Sequence, residues 1–131
     1  MTSQSKSGDA ANSRVTIFVV DDEQMLLDLA VAILQPLGFD VRTYNDPRKA
    51  LKEFSTIKPA VIITDYAMGG MTGLDLVREC KRVNPQQKMI LLSGTVGEEI
   101  YADQSVKPDR FLVKPYPIHE LVETIQALAA S

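Results

Sequence analysis

Four short stretches of the chain carry side chains that could do chemistry together: Asp21-Asp22-Glu23, Asp65 at the head of Tyr66-Ala67-Met68-Gly69-Gly70, Ser93-Gly94-Thr95, and Lys114-Pro115. Three neighbouring carboxylates repel one another, which raises at least one pKa unless a cation neutralises them. All-oxygen ligands suit a hard divalent ion such as Mg2+, held by a few carboxylates and completed by waters. An ammonium and a hydroxyl facing the same ion complement the oxygens of a phosphoryl group. Positioning and charge neutralisation are most of what phosphoryl transfer asks of a protein. The residues therefore point to a Mg2+-assisted phosphoryl-acceptor site with an aspartate as nucleophile.

Each stretch also has an ordinary reading. Asp21-Asp22 can cap a following helix and favour its N-terminus electrostatically. Asp65 before Gly69-Gly70 can serve an Asx-turn, and Lys114-Pro115 can be a loop cation and a turn. Taken alone, Ser93 says nothing. The chemical reading prevails because all four follow the same kind of element.

Those elements are short apolar runs at 15–20, 60–64, 89–92 and 111–113, rich in Val, Ile, Leu and Phe without clean alternation. This is the pattern of parallel strands covered on both faces. A run at 40–44 alternates more and reads as an edge strand. Between them, Leu26, Leu29, Ala30, Ile33, Leu34 and Leu37 recur at helical steps, with Gly38 as the stop. Asp46-Pro47 caps and opens a second helix running to Phe54. Thr72-x-x-Asp75 forms a capping box ahead of Leu76, Val77, Cys80 and Val83, and Pro85 ends that helix. Thr95-x-x-Glu98 predicts a weaker fourth helix with Ile100 and Tyr101, short because 95–108 is polar and ends on proline. A last helix carries Ile118, Leu121, Val122, Ile125 and Leu128. The order βαβαβαβαβα implies a parallel sheet with helices on both faces and a ligand site outside the carboxyl ends of its strands.

The 131 residues fit one domain, 15–131, behind a Ser-, Asn- and Gly-rich tail at 1–14 that reads as disordered. A net charge of -3 gives no basic footprint for direct nucleic-acid contact. No apolar run approaches the ~20 residues of a membrane span, and no signal-peptide core stands at the N-terminus. The single cysteine, Cys80, excludes an internal disulfide and reads as core filler. These features lead us to expect a cytoplasmic, non-membrane protein. His119, the only histidine, reads as a surface residue. Met25 falls off the buried stripe beside the acid cluster, where an exposed methionine suits a partner contact.

From 15 to 130 the sequence resembles the receiver domain of two-component response regulators. The resemblance rests on Val-Asp-Asp-Glu at 20–23, Ile-Ile-Thr-Asp-Tyr-Ala-Met at 62–68 with Gly73, Leu-Leu-Ser-Gly at 91–94 and Phe-Leu-Val-Lys-Pro at 111–115. It implies a flavodoxin-like, doubly wound five-stranded parallel sheet of order 2-1-3-4-5 with five helices. It further implies that Asp65 accepts a phosphoryl group from a phosphohistidine on a sensor histidine kinase or histidine phosphotransfer protein. Asp22, Asp65 and the backbone carbonyl of Ala67 would ligate Mg2+, with Asp21 acting through a metal-bound water. Lys114 would pair with the phosphoryl group and Ser93 would hydrogen-bond to it. Ser93 and Phe111 would form the switch, and Lys114-Pro115 would be cis. The same resemblance allows a homodimer on phosphorylation and leaves the downstream target open. Two positions depart from the pattern. Gly69 stands in place of the usual proline, implying a more mobile loop, and Phe111 in place of the common tyrosine. Without a hydroxyl to satisfy, Phe111 is expected to sample its inward position before phosphorylation.

Other functions share the fold. A flavodoxin-like cofactor binder fits poorly, because Asp21-Asp22-Glu23 would repel a cofactor phosphate. An aspartate-nucleophile phosphatase needs a second acid two residues after Asp65, where Ala67 stands. A non-phosphorylated scaffold would not need the full residue set. The expected role is that of a phosphoacceptor signalling domain rather than an enzyme.

Overall fold

The computed structural model describes residues 14–131; the expected tail at 1–13 lies outside the described residues. Five strands, β1 (Thr16–Val20), β2 (Asp40–Tyr44), β3 (Val61–Asp65), β4 (Lys88–Ser93) and β5 (Arg110–Val113), form one parallel sheet. Their order is β2-β1-β3-β4-β5. Four α-helices connect or follow them: α1 (Gln24–Leu34), α2 (Pro47–Ile57), α3 (Gly73–Val83) and α4 (Ile118–Ala130).

Alternation along the strands divides the core. Ile17, Val19, Ile63, Ile90 and Leu92 face α1 and α4, packing on Leu27, Leu34, Leu121, Ile125 and Leu128. Phe18, Val20, Ile62, Met89 and Leu91 face α2 and α3, packing on Ala50, Phe54, Leu76, Val77 and Cys80. Both faces of β1, β3 and β4 are therefore apolar, which is why their sequences read as runs.

Local chemistry sets the helix ends. Asp46 accepts the amide of Arg48 at 2.9 Å and Pro47 opens α2. At α3, Thr72 Oγ1 accepts the Asp75 amide at 3.1 Å, while Asp75 Oδ2 accepts the Thr72 amide at 3.0 Å. The capping box read from sequence is thus complete. Beyond α1 a 3-10 turn, Gln35–Leu37, ends on Gly38 at φ 99°, a conformation that glycine adopts without a Cβ clash.

Three expectations need correction. The fourth of five expected helices is one 3-10 turn, Glu98–Tyr101. Thr95 does not cap it: the Thr95 and Val96 amides turn back to Ser93 Oγ at 3.2 and 3.0 Å, and the Gly97 amide donates to Glu99. Ile100, Tyr101 and Val106 alone give the segment too little apolar surface to propagate a helix. On α1 the fully buried residues are Leu27 and Leu34, while Leu29, and Leu37 in the 3-10 turn beyond it, are about half exposed. Gln24–Leu34 is apolar almost all round, so periodicity could not fix its phase. Val83 and Ile118, placed on inner stripes from sequence, are also about half exposed.

Candidate functional site

The parallel register assembles the site. Val20 pairs with Thr64, so Asp21 leaves β1 beside Asp65, the last residue of β3. Ser93 pairs with Val113, so Lys114 follows at the same end. All four positions lie at the carboxyl edge, where β1 has β2 on one side and β3 on the other. This is the topological switch point at which open α/β sheets place their ligands.

Lys114 reaches β3 across the end of β4. Its amide donates to the Ser93 carbonyl at 2.8 Å. A Cβ on Gly94 would lie 3.4 Å from Lys114 Cβ, so the small residues at 93–94 leave a passage for the lysine stem. The ammonium sits 2.9 Å from Asp65 Oδ1 and 4.0 Å from Asp21 Oδ2. The peptide bond Lys114-Pro115 is cis, as the resemblance implied.

The two inner carboxylates are buried, with Asp21 4% and Asp65 8% exposed. Asp21 is steadied by the Glu23 amide, which donates to its Oδ1 at 3.0 Å. Burial, with further repulsion from Asp65, pushes its pKa up to about 6. Burial acts to lower the Lys114 pKa, but its contact with Asp65 and the charges of both aspartates outweigh this and raise it. Asp22 differs from the pair: its side chain is exposed. Among the described residues no three acidic, His or Cys side chains are drawn together as a metal cluster. The structure thus brings together Asp21, Asp65 and Lys114, and leaves Asp22 at the solvent rim.

Two buried carboxylates facing one ammonium leave a net negative site, which is the electrostatic condition for a divalent cation. Mg2+ requires only one or two carboxylates and retains waters, so the donor set fits it. Asp21, Asp22, Asp65 and the Ala67 carbonyl are the residues available to hold it. That carbonyl accepts no backbone hydrogen bond among the described residues.

Ser93 is 1% exposed. Its oxygen accepts two amides, but its proton has no acceptor among the described residues. Phe111 is half-buried, edge-on to Tyr101 with centroids 5.9 Å apart. His119 is exposed and Cys80 buried, its thiol pushed up to about 12 by burial.

Three supporting residues have roles that sequence reasoning did not assign: Thr64 and Gly73, named there only as motif members, and Tyr116. Thr64 is fully buried and donates to the Asp65 carbonyl at 3.0 Å; its hydroxyl amid Ile62 and Ile63 was the available signal. Gly73 admits no side chain, since a Cβ would stand 2.2 Å from the Asp65 carbonyl oxygen. Tyr116 shares a cavity lining with Asp21 and Lys114, and only the folded turn reveals that.

Residues 17–126 match the model of the response regulator receiver domain. The "Probable transcriptional regulatory protein TcrX" of Mycobacterium tuberculosis is 30% identical over 115 residues, covering 87% of this chain and 49% of its own. The chain thus spans about half the length of the first curated relatives it matches. Chemotaxis protein CheY of Thermotoga maritima is 24% identical, covering 86% of this chain and 96% of its own. The crystal structure of response regulator TrrA from Thermotoga maritima, in complex with Mg2+ and BeF, superposes with a TM-score of 0.76. It is 29% identical and covers 87% of this chain and 98% of that one.

Proposed function

The chain belongs to the response regulator receiver domain family, and on that premise we propose that Asp65 is its phosphoacceptor. The observation that carries this reading is the division of labour at the Asp65 carboxylate. Oδ1 is held by Lys114 at 2.9 Å, and Oδ2 has no partner among the described residues. Oδ2 attacks phosphorus as the bond from phosphorus to the donor imidazole nitrogen breaks. That nitrogen keeps the electron pair, and an acyl phosphate remains on Asp65. Lys114 stays with the phosphoryl oxygens and Ser93 donates its free proton to one of them. Mg2+, held by Asp21, Asp22, Asp65 and the Ala67 carbonyl, would supply neutralisation of the phosphoryl charge.

The phosphoryl donor is a histidine kinase or a histidine phosphotransfer protein. Leu29 at 48% and Ile118 at 44% exposure line a groove with Asp21 and Lys114, and Met25, 80% exposed, stands in the first turn of α1. The groove, of about 410 Å3, lies between α1 and α4. Exposed apolar surface next to a reacting group suits a protein donor, as read for Met25 from sequence. No helix among the described residues is long and apolar enough to cross a membrane.

Incubation with acetyl phosphate and Mg2+ tests the assignment. Intact mass should rise by one phosphoryl group and fall back under mild base. A gain that survives in Asp65→Asn would move the acceptor elsewhere.

A further inference from the structure

The helices run against the strands, so the amino end of the sheet, remote from Asp65, gathers the residues that enter each strand and leave each helix. Charge is divided between the two ends. At the carboxyl end Asp21, Asp22, Glu23 and Asp65 stand against Lys114. At the amino end the carboxylates in or bordering these segments are Asp40, Glu79 and Asp109. Each is already paired, with Arg42, Arg82 and Lys81 respectively. Five further cations at that end, Arg14, Lys58, Lys88, Lys107 and Arg110, take part in no ion pair among the described residues. Backbone bonds draw their segments together: the Asp40 amide donates to Val15, that of Ala60 to Thr16 and that of Asp109 to Met89. Arg110 pairs in register with Ile90, so Lys88, two residues earlier on β4, shares its side of the sheet. Neighbouring like charges repel, and an anion near them relieves that cost.

Helix dipoles do not account for this excess. The four helix C-termini at the amino end carry about half a negative charge each, fewer than half of the unpaired positive charges. The same end also exposes aliphatic surface, with Leu37 beyond α1 at 50% and Val83 at the end of α3 at 53%. An anionic bilayer answers both features, because its headgroups attract clustered Lys and Arg and its interface accepts apolar side chains. Nucleic acid answers them poorly. Every aromatic ring is buried or half-buried, which leaves no stacking platform, and the helices present C-termini here rather than phosphate-binding N-termini. We propose that the amino end of the sheet docks the chain peripherally on anionic phospholipid bilayers. The same field turns the acidic carboxyl end away, so Asp65 faces solution. The docking uses no residue of the phosphoacceptor site and does not depend on its chemistry.

Flotation of the full chain with vesicles tests this, comparing pure phosphatidylcholine with a mixture holding about one-third phosphatidylglycerol. The chain should float with the anionic vesicles alone and detach at about 0.5 M salt, where screening confines the attraction to a few ångströms. Each cation near an anionic surface is worth about fivefold in affinity, so Lys88→Gln with Arg110→Gln should weaken vesicle binding about 25-fold. Lys107→Gln alone, at an exposed position, should weaken it about fivefold without changing the thermal midpoint. Lys49→Gln with Lys52→Gln removes the same charge from the exposed face of α2 and should change affinity by less than about twofold. Equal losses in the two double variants would show that only net charge is read, and would overturn the proposal. Failure to float with anionic vesicles at low salt, or tighter binding to a DNA duplex than to those vesicles, would overturn it as well.

Discussion

The Lys114 ammonium reaches Asp65 from two strands away, passing over the end of β4 to close to 2.9 Å of Oδ1. It is the charge that makes two buried carboxylates tolerable, and it occupies the region where a divalent cation would act. Its removal should therefore have opposite effects on two measurements. Lys114→Met should slow phosphorylation by acetyl phosphate by about 100-fold, the loss of one preorganised cationic donor. The same variant should bind Mg2+ more tightly, since a competing cation is gone. NMR titration and intact mass read the two effects separately, and weaker Mg2+ binding would contradict this electrostatic account.

Asp21 makes stability depend on pH in an unusual direction. Its folded pKa, about 6, lies above the ordinary 3.8. Between those values the native state therefore binds more protons than the unfolded state. Linkage then requires this group's contribution to fall as pH rises through the window, and to be most favourable below about 4. Urea unfolding without Mg2+ should show wild type losing stability from pH 4 to pH 7 relative to Asp21→Asn. The loss should be at most about 3 kcal/mol. Asp46 and Asp75, whose pKa values are lowered by hydrogen bonds, act in the opposite sense in both proteins and cancel in the comparison.

Gly73 is required by the path of the loop after Asp65. Its amide donates to the Tyr66 carbonyl at 2.9 Å, and a Cβ would meet Asp65 backbone and Leu91 Cδ1 at 2.2 and 2.8 Å. Gly73→Ala should destabilise the fold by about 1–3 kcal/mol and lower Asp65 phosphorylation. Gly69→Ala is the control, because nothing lies within 4 Å of the added carbon. Thermal melts should show that variant neutral or stabilised by about 0.5 kcal/mol.

The Phe111 and Tyr101 rings should respond to phosphorylation as a unit. They pack edge to face, and Tyr101 is tied by its hydroxyl to Glu98 at 3.2 Å. Ser93 holds the start of the same segment through the Thr95 and Val96 amides. Aromatic NMR signals of both rings should shift together when acetyl phosphate and Mg2+ are added. In Ser93→Ala, which keeps Asp65 but removes the shared hydroxyl, the two shifts should shrink together. Movement of Phe111 with a stationary Tyr101 would show that the pair is not coupled.

The sequence by itself determined the strands, their α/β order and the residues at their carboxyl ends. Strands covered on both faces must be apolar throughout, so Asp65, Ser93 and Lys114 stood out as the polar ends of apolar runs. The caps of α2 and α3 were equally legible, because Asp46 and Thr72 act within three residues of themselves. Tertiary structure decided what neighbours in sequence could not. Asp21 and Asp22 are identical in type, yet one is buried and the other exposed, because the chain leaving β1 turns one inward and one outward. Leu27 rather than Leu29 faces the sheet because α1 is apolar nearly all round, and only contact with β1 and β3 fixes its rotation. The segment at 95–108 carries a helix-start pattern, but its amides are captured by Ser93 and Glu99 before a helix can propagate. Lys58 and Gln87 stand 29 positions apart in the chain, yet both line one cavity where α2 and α3 end side by side. Local rules act over a turn of chain, whereas phase, orientation and shared cavities depend on which distant surfaces exclude water together.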